Sequence, residues 1–316
     1  MAQQGEPVRL VGIVDADLAR ADAAAREFGC RAFGSVEQLT TTHSEVQAAS
    51  VAVPTVRHLE TARALMEAGI DVLVEKPLAA SLTDADELIR LAKSLGRIGQ
   101  VGHLERFNPA VRATAPLITQ PMFFEVHRLS IFTPRSLDVD VVLDLMIHDL
   151  DVVLSFVNSP VKEIRAVGLP ILSGKADIAN VRLEFESGCV ANFTASRVST
   201  ERVRKIRFFQ PRQYVALDYS RQDVLVFSVG AEGGEVPGTP SINPQIKVAK
   251  PPIPAEEPLQ AELRSFLASV RKRTRPLVSF EDGRRALALA LDIVAAIQEH
   301  SQKVQLDQLH GSTPSS

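Results

Sequence analysis

The sequence predicts an α/β protein of two domains. The first is an N-terminal Rossmann-like parallel sheet lacking its first strand, and the second is an α+β domain with an open, mainly antiparallel sheet. Three observations point there. The first hundred or so residues alternate short β-rich apolar runs with helical stretches, the pattern of a parallel sheet covered on both faces. From residue 140 onward a long helical run leads into closely spaced strand-like runs suited to antiparallel pairing. An acidic strand end stands at Asp15, and the glycine-rich phosphate loop that normally precedes such a residue by about 20 positions would fall ahead of Met1.

In the N-terminal domain, placed at residues 1–102, residues 8–14 read as a strand ending at Asp15. Residues 17–28 read as a helix capped by Asp17 and stopped by Gly29. Residues 49–53 form a second buried strand closed by Pro54, and a helix over 56–68 follows with Thr55 as cap and Gly69 as terminator. A strand at 72–74, a helix at 83–94 and a strand at 98–101 complete the domain. In the strand order 3-2-1-4-5-6 the strand that carries the glycine loop is central. The runs at 8–14 and 49–53 are therefore each expected to lack a neighbour. The chain is expected to begin at the second strand of the fold, as a start codon set too far downstream or a truncated gene copy would leave it.

The second domain, 103–316, is expected to carry a long helix over 140–156 and strands at 161–168, 181–185, 190–196, 203–209 and 214–218. Ser187-Gly188 suits a hairpin turn between two of them. The proline-rich stretch 247–258 reads as an extended loop, 259–271 and 281–302 as closing helices, and 310–316 as a disordered tail.

Composition narrows the function classes. With 45% hydrophobic and 23% charged residues the chain has the balance of a soluble globular protein. A net charge of −3 offers no electrostatic reason to bind nucleic acid or an anionic membrane. No apolar run approaches the roughly 18–20 residues of a membrane span, and residues 1–7 lack the basic and apolar regions of a signal peptide. Cys30 and Cys189 lie far apart without CxxC spacing, as expected of reduced thiols. The expectation is a cytoplasmic protein with no nucleic-acid or membrane partner.

The candidate chemistry lies at strand ends and on one helix. Asp15 ends an apolar strand, where a carboxylate can accept both hydroxyls of an adenosine ribose and so favours NAD over NADP; a solvated turn aspartate is the structural alternative. Lys76, in Glu75-Lys76-Pro77, follows the apolar run Val72-Leu73-Val74 and is aimed along the carboxyl edge of the sheet. It can hydrogen-bond a reacting oxygen or stand as an exposed loop lysine. Asp144 and His148 lie at i and i+4, about 40° apart on an α-helix. They sit in a stripe of short carboxylates on an otherwise apolar helix, fitting either a proton-transferring pair or a satisfied buried pair. His103 with His148 and Asp144 is a two-histidine, one-carboxylate metal alternative that no spacing pattern supports; no metal is expected. Pro54, Thr55 and His58 occupy another strand-to-helix corner, where His58 can also bond locally. Arg106, Arg128 and Arg135 can hold an anionic substrate or lie on the surface, and Arg135 is the one placed to meet a phosphate.

Three ordered motifs together resemble the Gfo/Idh/MocA oxidoreductases, the glucose–fructose oxidoreductase and inositol dehydrogenase family. They are Glu75-Lys76-Pro77, the run from Gly102-His103 through Arg106-Phe107-Asn108 to Ala110, and Asp144-Leu145-Met146-Ile147-His148-Asp149. The resemblance spans residues 8 to about 302. It implies transfer of a hydride between NAD, less readily NADP, and a hydroxyl carbon of a sugar or cyclitol, by a homo-oligomer built on the open sheet. It also implies Lys76, Asp144 and His148 as catalytic residues, and Asp15, Pro54, Thr55, His58, Glu75 and Lys76 as the cofactor side. Arg106, Asn108 and Arg135 fall to the substrate. Within the family, His127-Arg128-Leu129-Ser130 and Pro134-Arg135-Ser136 look most like the branch that oxidises UDP-N-acetylglucosamine at C3, which implies a nucleotide-sugar substrate. The sequence departs from the family at the phosphate-binding glycines. The competing expectation is therefore a truncated, non-catalytic remnant that binds sugar or assembles. Metal-dependent hydrolysis or lyase chemistry is a third possibility.

Overall fold

The computed structural model describes residues 8–134, 139–230 and 245–304. The chain divides into two compact units, Met1–Gly102 with Ser265–Phe280, and His103–Arg264 with Glu281–Ser316.

In the first unit β1 (Gly12–Val14) pairs in parallel with β2 (Arg31–Phe33), while β3 (Ala48–Val51), β4 (Asp71–Glu75) and β5 (Gly99–Gly102) form a separate parallel sheet in that order. No described strand joins β1 to β3, so each keeps one unpaired edge. The helices are α1 (Leu18–Phe28), α2 (Val36–Thr42), α3 (His58–Glu67) and α4 (Leu82–Ser94). Local chemistry sets their ends. The Asp17 carboxylate accepts the Ala19 and Arg20 amides at the start of α1, and Gly29 closes it at φ 66°. Ser81 caps α4 in the same way. Val72, Leu73 and Val74 make β4 the buried centre of its sheet.

Three expectations are corrected here. The strand over 8–14 shortens to β1, and β2 and α2, at three and seven residues, went unread. Thr55 does not cap a helix. It lies inside a 3-10 turn (Thr55–Arg57) that precedes α3, because Pro54 at the cap position has no side-chain acceptor to offer. The far edge of the second sheet is covered by residues from much later in the chain. Val101 N–H donates to the Val278 carbonyl at 3.0 Å, and Gln100 bridges Ser279 in the antiparallel sense. Phe266 and Val270 of α7 (Pro258–Lys272) pack on Leu73. Arg273 reaches back to the Asp71 carboxylate and to the Gly96 carbonyl, the latter at 2.6 Å.

The second unit is built on one eight-stranded sheet. Its strands are β6 (Phe123–Ile131), β7 (Val161–Leu169), β8 (Ile178–Phe185), β9 (Val190–Ser199), β10 (Val203–Gln210), β11 (Gln213–Asp218), β12 (Asp223–Gly230) and β13 (Gln245–Ala249). They lie in the order β13-β12-β11-β10-β6-β9-β8-β7, with β6 and β9 parallel and the other neighbours antiparallel. Strict alternation along β10 turns Ile206 and Phe208 inward and Lys205 and Arg207 outward. The inner face packs on α6 (Ile147–Phe156) and α8 (Phe280–Lys303) through Ile147, Leu150, Leu289 and Ile293. On the other face Phe123, Phe209, Tyr214 and Phe227 stack across four strands, with ring centroids 5.6, 4.9 and 5.2 Å apart. The expected helix over 140–156 is interrupted, since Val142–Met146 forms a π-helical turn ahead of α6. β6, β12 and β13 were not foreseen, and β13 takes the start of the stretch expected as a loop. The tail 310–316 lies outside the described residues. Among the described residues no helix is long and apolar enough to cross a membrane.

A side chain at position 99 tests the packing of the late segment on β5. A Cβ on Gly99 would stand 2.5 Å from the Phe280 ring. Gly99→Ala is expected to lower stability by about 1–3 kcal/mol through overpacking, as read by urea unfolding.

Candidate active site

The carboxyl ends of the parallel strands carry the first set of residues. Asp15 follows β1 directly. Its Oδ1 accepts the Asp17 amide at 2.9 Å, and the Arg20 guanidinium spans both oxygens, Nε to Oδ2 at 2.7 Å and Nη2 to Oδ1 at 2.8 Å. The hydrogen bond from Arg20 holds the carboxyl below its ordinary range. Beyond β3, Pro54 is exposed and Thr55 part-buried where the 3-10 turn begins. Glu75 ends β4 opposite Gly102 of β5. A Cβ at 102 would lie 3.1 Å from Glu75 Oε2, so glycine lets that carboxylate lie across the end of β5. The Lys76 amide donates to Glu75 Oε2 at 3.2 Å, the Lys76–Pro77 peptide is cis, and the Lys76 side chain is part-buried.

His58 is corrected as a cofactor contact. It is 1% exposed, with Nδ1 3.0 Å from the Pro77 carbonyl and Nε2 3.0 Å from the Val53 carbonyl. Both ring nitrogens face backbone carbonyls, and the ring ties the turn after β3 to the turn after β4.

In the second unit Asp144 lies within the π turn and His148 on the first turn of α6, both part-buried. The 40° α-helical offset expected for them does not apply, because the i→i+5 bonding of a π turn changes the rotation per residue. The His103 ring stands edge-on to that of His148, with centroids 6.5 Å apart. Burial pushes the neighbouring Asp151 carboxyl upward, while His103 and Arg106 pull it the other way. Arg106 faces Asp151 at 3.5 Å as a part-buried ion pair. Asn108 is spent within the fold: Oδ1 accepts the Ala110 amide at the start of α5 (Pro109–Thr114), and Nδ2 donates to Glu105 at 3.2 Å and to the Tyr219 carbonyl at 3.1 Å. Its expected substrate contact gives way to a buried capping role. Arg135 lies outside the described residues.

Beneath this region sits a charge cluster that sequence reasoning missed. Arg128, on β6, is 3% exposed, so it is neither a surface residue nor an open anion site. Its Nε donates to Asp149 Oδ2 at 2.6 Å, and its Nη2 to Asp149 Oδ1 and Glu105 Oε1, each at 3.0 Å. Its guanidinium lies 5.3 Å from the centre of the Tyr219 ring. Burial opposes the charge, but Asp149 and Glu105 outweigh it and hold Arg128 above its ordinary value. The available signal was Asp149 directly after His148, about 100° round an otherwise apolar helix. Arg20 was also missed, and its position five residues after Asp15, just inside the Asp17 cap, was the signal there.

Among the described residues no group of three or more His, Cys, Asp and Glu side chains is placed to hold a metal ion. A nicotinamide dinucleotide suits the donor set at its two ends. Asp15 offers acceptors for ribose hydroxyls, and Glu75 and Lys76 stand at the carboxyl end of β4. A Gly-x-Gly-x-x-Gly run for the pyrophosphate does not occur in the sequence.

Removing the cation alone would strand two buried carboxylates. Arg128→Met is expected to cost about 3–5 kcal/mol in urea unfolding, and the triple change Arg128→Met, Glu105→Leu, Asp149→Leu to recover most of that loss.

Comparison with known proteins agrees with this layout. Residues 1–103 match the oxidoreductase family with an NAD-binding Rossmann fold, and residues 89–212 match the GFO/IDH/MocA C-terminal domain. The chain is 35% identical over 297 residues to UDP-N-acetylglucosamine 3-dehydrogenase of Acidithiobacillus ferrooxidans, covering 93% of this chain and 92% of that protein. A solved structure of that enzyme superposes with a TM-score of 0.83 at 33% identity, over 92% of this chain and 90% of that one. The myo-inositol 2-dehydrogenase of Thermotoga maritima is 26% identical over 84% of this chain and 81% of its own length. With both domains matched in order and a relative above 30% identity along nearly its whole length, the chain belongs to the Gfo/Idh/MocA family of oxidoreductases.

Proposed function

We propose that this chain is an NAD-dependent dehydrogenase of a nucleotide sugar, oxidising a sugar hydroxyl in a substrate of the UDP-N-acetylglucosamine type. One observation carries the reading. The strand end Glu75-Lys76-Pro77 and the Asp144–His148 pair stand in order in a chain 35% identical to a UDP-N-acetylglucosamine 3-dehydrogenase over 93% of its length. The first unit serves the cofactor and the second the substrate. NAD is the preferred form, because a carboxylate at Asp15 accepts ribose hydroxyls and repels a 2′-phosphate.

When bound, NAD supplies the hydride acceptor. The protein's part is proton handling and charge. His148 takes the proton of the reacting hydroxyl, and Asp144 orients the imidazole and stabilises its charged form. Lys76 supplies a cationic hydrogen-bond donor suited to stabilising a developing alkoxide. Glu75, through its contact with the Lys76 amide at 3.2 Å, positions the turn that carries the lysine. Arg135 serves the diphosphate of the substrate, as bidentate arginines do.

The protein assembles as a homo-oligomer through the outer face of its large sheet. The stacked Phe123, Phe209, Tyr214 and Phe227 on that face support this, as does the exposure of Phe209, Leu225, Ile246 and Val248 nearby. Cys30 and Cys189 are both unbridged, which supports a cytoplasmic setting.

The deciding assay mixes UDP-N-acetylglucosamine and NAD with the full chain and follows reduced nicotinamide by absorbance. His148→Ala is expected to lose at least about a hundredfold in turnover while NAD still binds in calorimetry. Unchanged turnover would remove His148 from the mechanism. A wild-type chain that stays folded but neither binds NAD nor turns over any sugar would be the non-catalytic remnant. For assembly, Phe209→Lys with Tyr214→Lys is expected to shift the light-scattering mass to that of a monomer, and an unshifted mass would place the interface elsewhere.

A further inference from the structure

The Asp144–His148 pair is placed by a turn that does not hold itself. A π turn carries one residue more than an α-helical turn and is rare outside functional sites. Loss of that extra residue, by a slip of either end, would rotate Asp144 by about 100° against His148. The turn Val142–Met146 therefore persists only if both its ends are pinned from outside. Its far end is pinned by Arg128, which holds Asp149 three residues beyond Met146. Its near end has a buried arginine of its own. Nη2 of Arg197 donates to the carbonyl of Val139, three residues ahead of Val142, and to the carbonyl of Ala176 at 3.4 Å.

Arg197 is aimed there by an irregularity in its strand. Leu129 to Ile131 of β6 runs beside Ser196 to Ser199 of β9, so two steps match three and Arg197 stands in a β-bulge. Ser196 and Arg197 are in consequence both buried, where strict alternation would turn one of them out. The Arg197 guanidinium faces Asp177 Oδ1 at 3.5 Å, and its amide donates to the Asp177 carbonyl at 2.9 Å. Asp177 is fully buried and itself held. Its Oδ2 accepts the amides of Ile171, Leu172 and Ser173 at 2.8, 2.6 and 2.9 Å, and its Oδ1 accepts the Ser173 hydroxyl at 2.8 Å. Burial pushes that carboxyl upward, but these donors outweigh it and keep it below its ordinary range, so Arg197 meets a charged partner at neutral pH. On the side of the turn, the Val141 amide donates to the same Ala176 carbonyl at 3.0 Å. Asp140 Oδ1 accepts the Val142 amide at 3.0 Å, and the Asp140 carbonyl accepts the Asp144 amide at 2.9 Å. A continuous set of bonds thus runs from the 171–173 loop through Asp177 and Arg197 to the backbone that carries Asp144.

Two buried arginines on neighbouring strands, Arg128 and Arg197, clamp the two ends of one turn. We propose that Arg197 is a positioning residue for the Asp144–His148 pair, fixing the entry to the π turn and keeping it from relaxing into α-helix. The proposal rests on the proton-handling role given to that pair above. It adds a residue that acts through the backbone of the turn and on which proton transfer depends.

The test compares the wild-type full chain with Arg197→Lys, Arg197→Met and Asp144→Asn. Lysine keeps the buried charge against Asp177 but lacks the fork that reaches both carbonyls. Steady-state rates with UDP-N-acetylglucosamine and NAD are measured beside the folded fraction by circular dichroism and NAD affinity by calorimetry. Arg197→Lys is expected to lower kcat by about tenfold and Arg197→Met by up to about a hundredfold, as a misplacement of about 1 Å would, with NAD affinity within about twofold of wild type. Nitrogen-15 NMR of the His148 ring needs no substrate. The wild type is expected to show one tautomer, and both Arg197 variants the mixture expected of Asp144→Asn. A purely structural role would lower the melting temperature but leave kcat per folded molecule and the tautomer as in the wild type, and that result overturns the proposal. If Arg197→Met does not fold, Arg197→Lys decides alone; if neither folds, Arg197 is a folding residue and the proposal fails. A folded wild type that turns over no sugar overturns the activity reading, and the tautomer then decides the clamp: mixed in the variants sustains it, unchanged overturns it.

Discussion

The second unit depends on the buried cation of Arg128. A guanidinium placed between a sheet and its covering helix is stable only if carboxylates meet it there, and the sequence supplies two from different elements: Asp149 on α6 and Glu105 from the turn before α5. The three side chains tie β6, the 105–108 turn and α6 together at fixed distances, and Asn108 extends the tie to Tyr219 on the neighbouring backbone. Such a cluster is a poor way to gain stability compared with apolar packing. What it fixes is rotation. With Asp149 held inward against Arg128, α6 cannot turn about its axis, and the residue before it, His148, is held on a different face. The π turn ahead of α6 then sets where Asp144 falls relative to His148, a placement a continuous α-helix would not give. The cluster also has a cost at its edge. Arg204 stands opposite Arg128 in the register of β10 and β6, and its charged form is disfavoured by desolvation and by that like charge.

In the first unit the constraint is different. Parallel strands have only short, buried segments with which to hold their order, and here they fall into two sheets. The three-stranded sheet is the better held. β4 is apolar and buried, and the segment from Ser265 to Phe280 closes its far side through Val278, Ser279 and the Asp71–Arg273 pair. The turns that follow β3 and β4 are joined by His58 through backbone carbonyls. That tie gives Lys76 a fixed base, since the loop carrying it is anchored on both sides.

Much of this was legible in the sequence, and the limits are instructive. Elements with capped ends were read nearly to the residue. Asp17 and Gly29 bounded α1, and the apolar run Val72-Leu73-Val74 located β4. Short elements were lost because three residues such as Arg31-Ala32-Phe33 carry no period. The late segment that joins the first unit was assigned to the second because nothing in a linear reading reports a return of the chain. For the candidate site, motif order singled out Lys76, Asp144 and His148. The use made of Asn108, His58 and Arg128 was not. Each is polar and looks available for a ligand, yet each is buried and spent on backbone or on an opposite charge. A polar residue in a family motif can thus be there to hold the motif in shape.

The same lesson applies in the opposite sense to Asp15. Read along the chain, an acidic strand end is a single negative charge, and a single charge implies a single preference. Folding places Arg20 on it from the first turn of the next helix, and the pair is neutral where the isolated residue was not. The pair is exposed, so it competes with water and contributes little to stability. Deep in the second unit, by contrast, the bond between Arg128 and Asp149 is made in the absence of water and cannot be exchanged for a ligand. An exposed ion pair can open to solvent and a buried one holds its geometry; burial, not residue type, decides which.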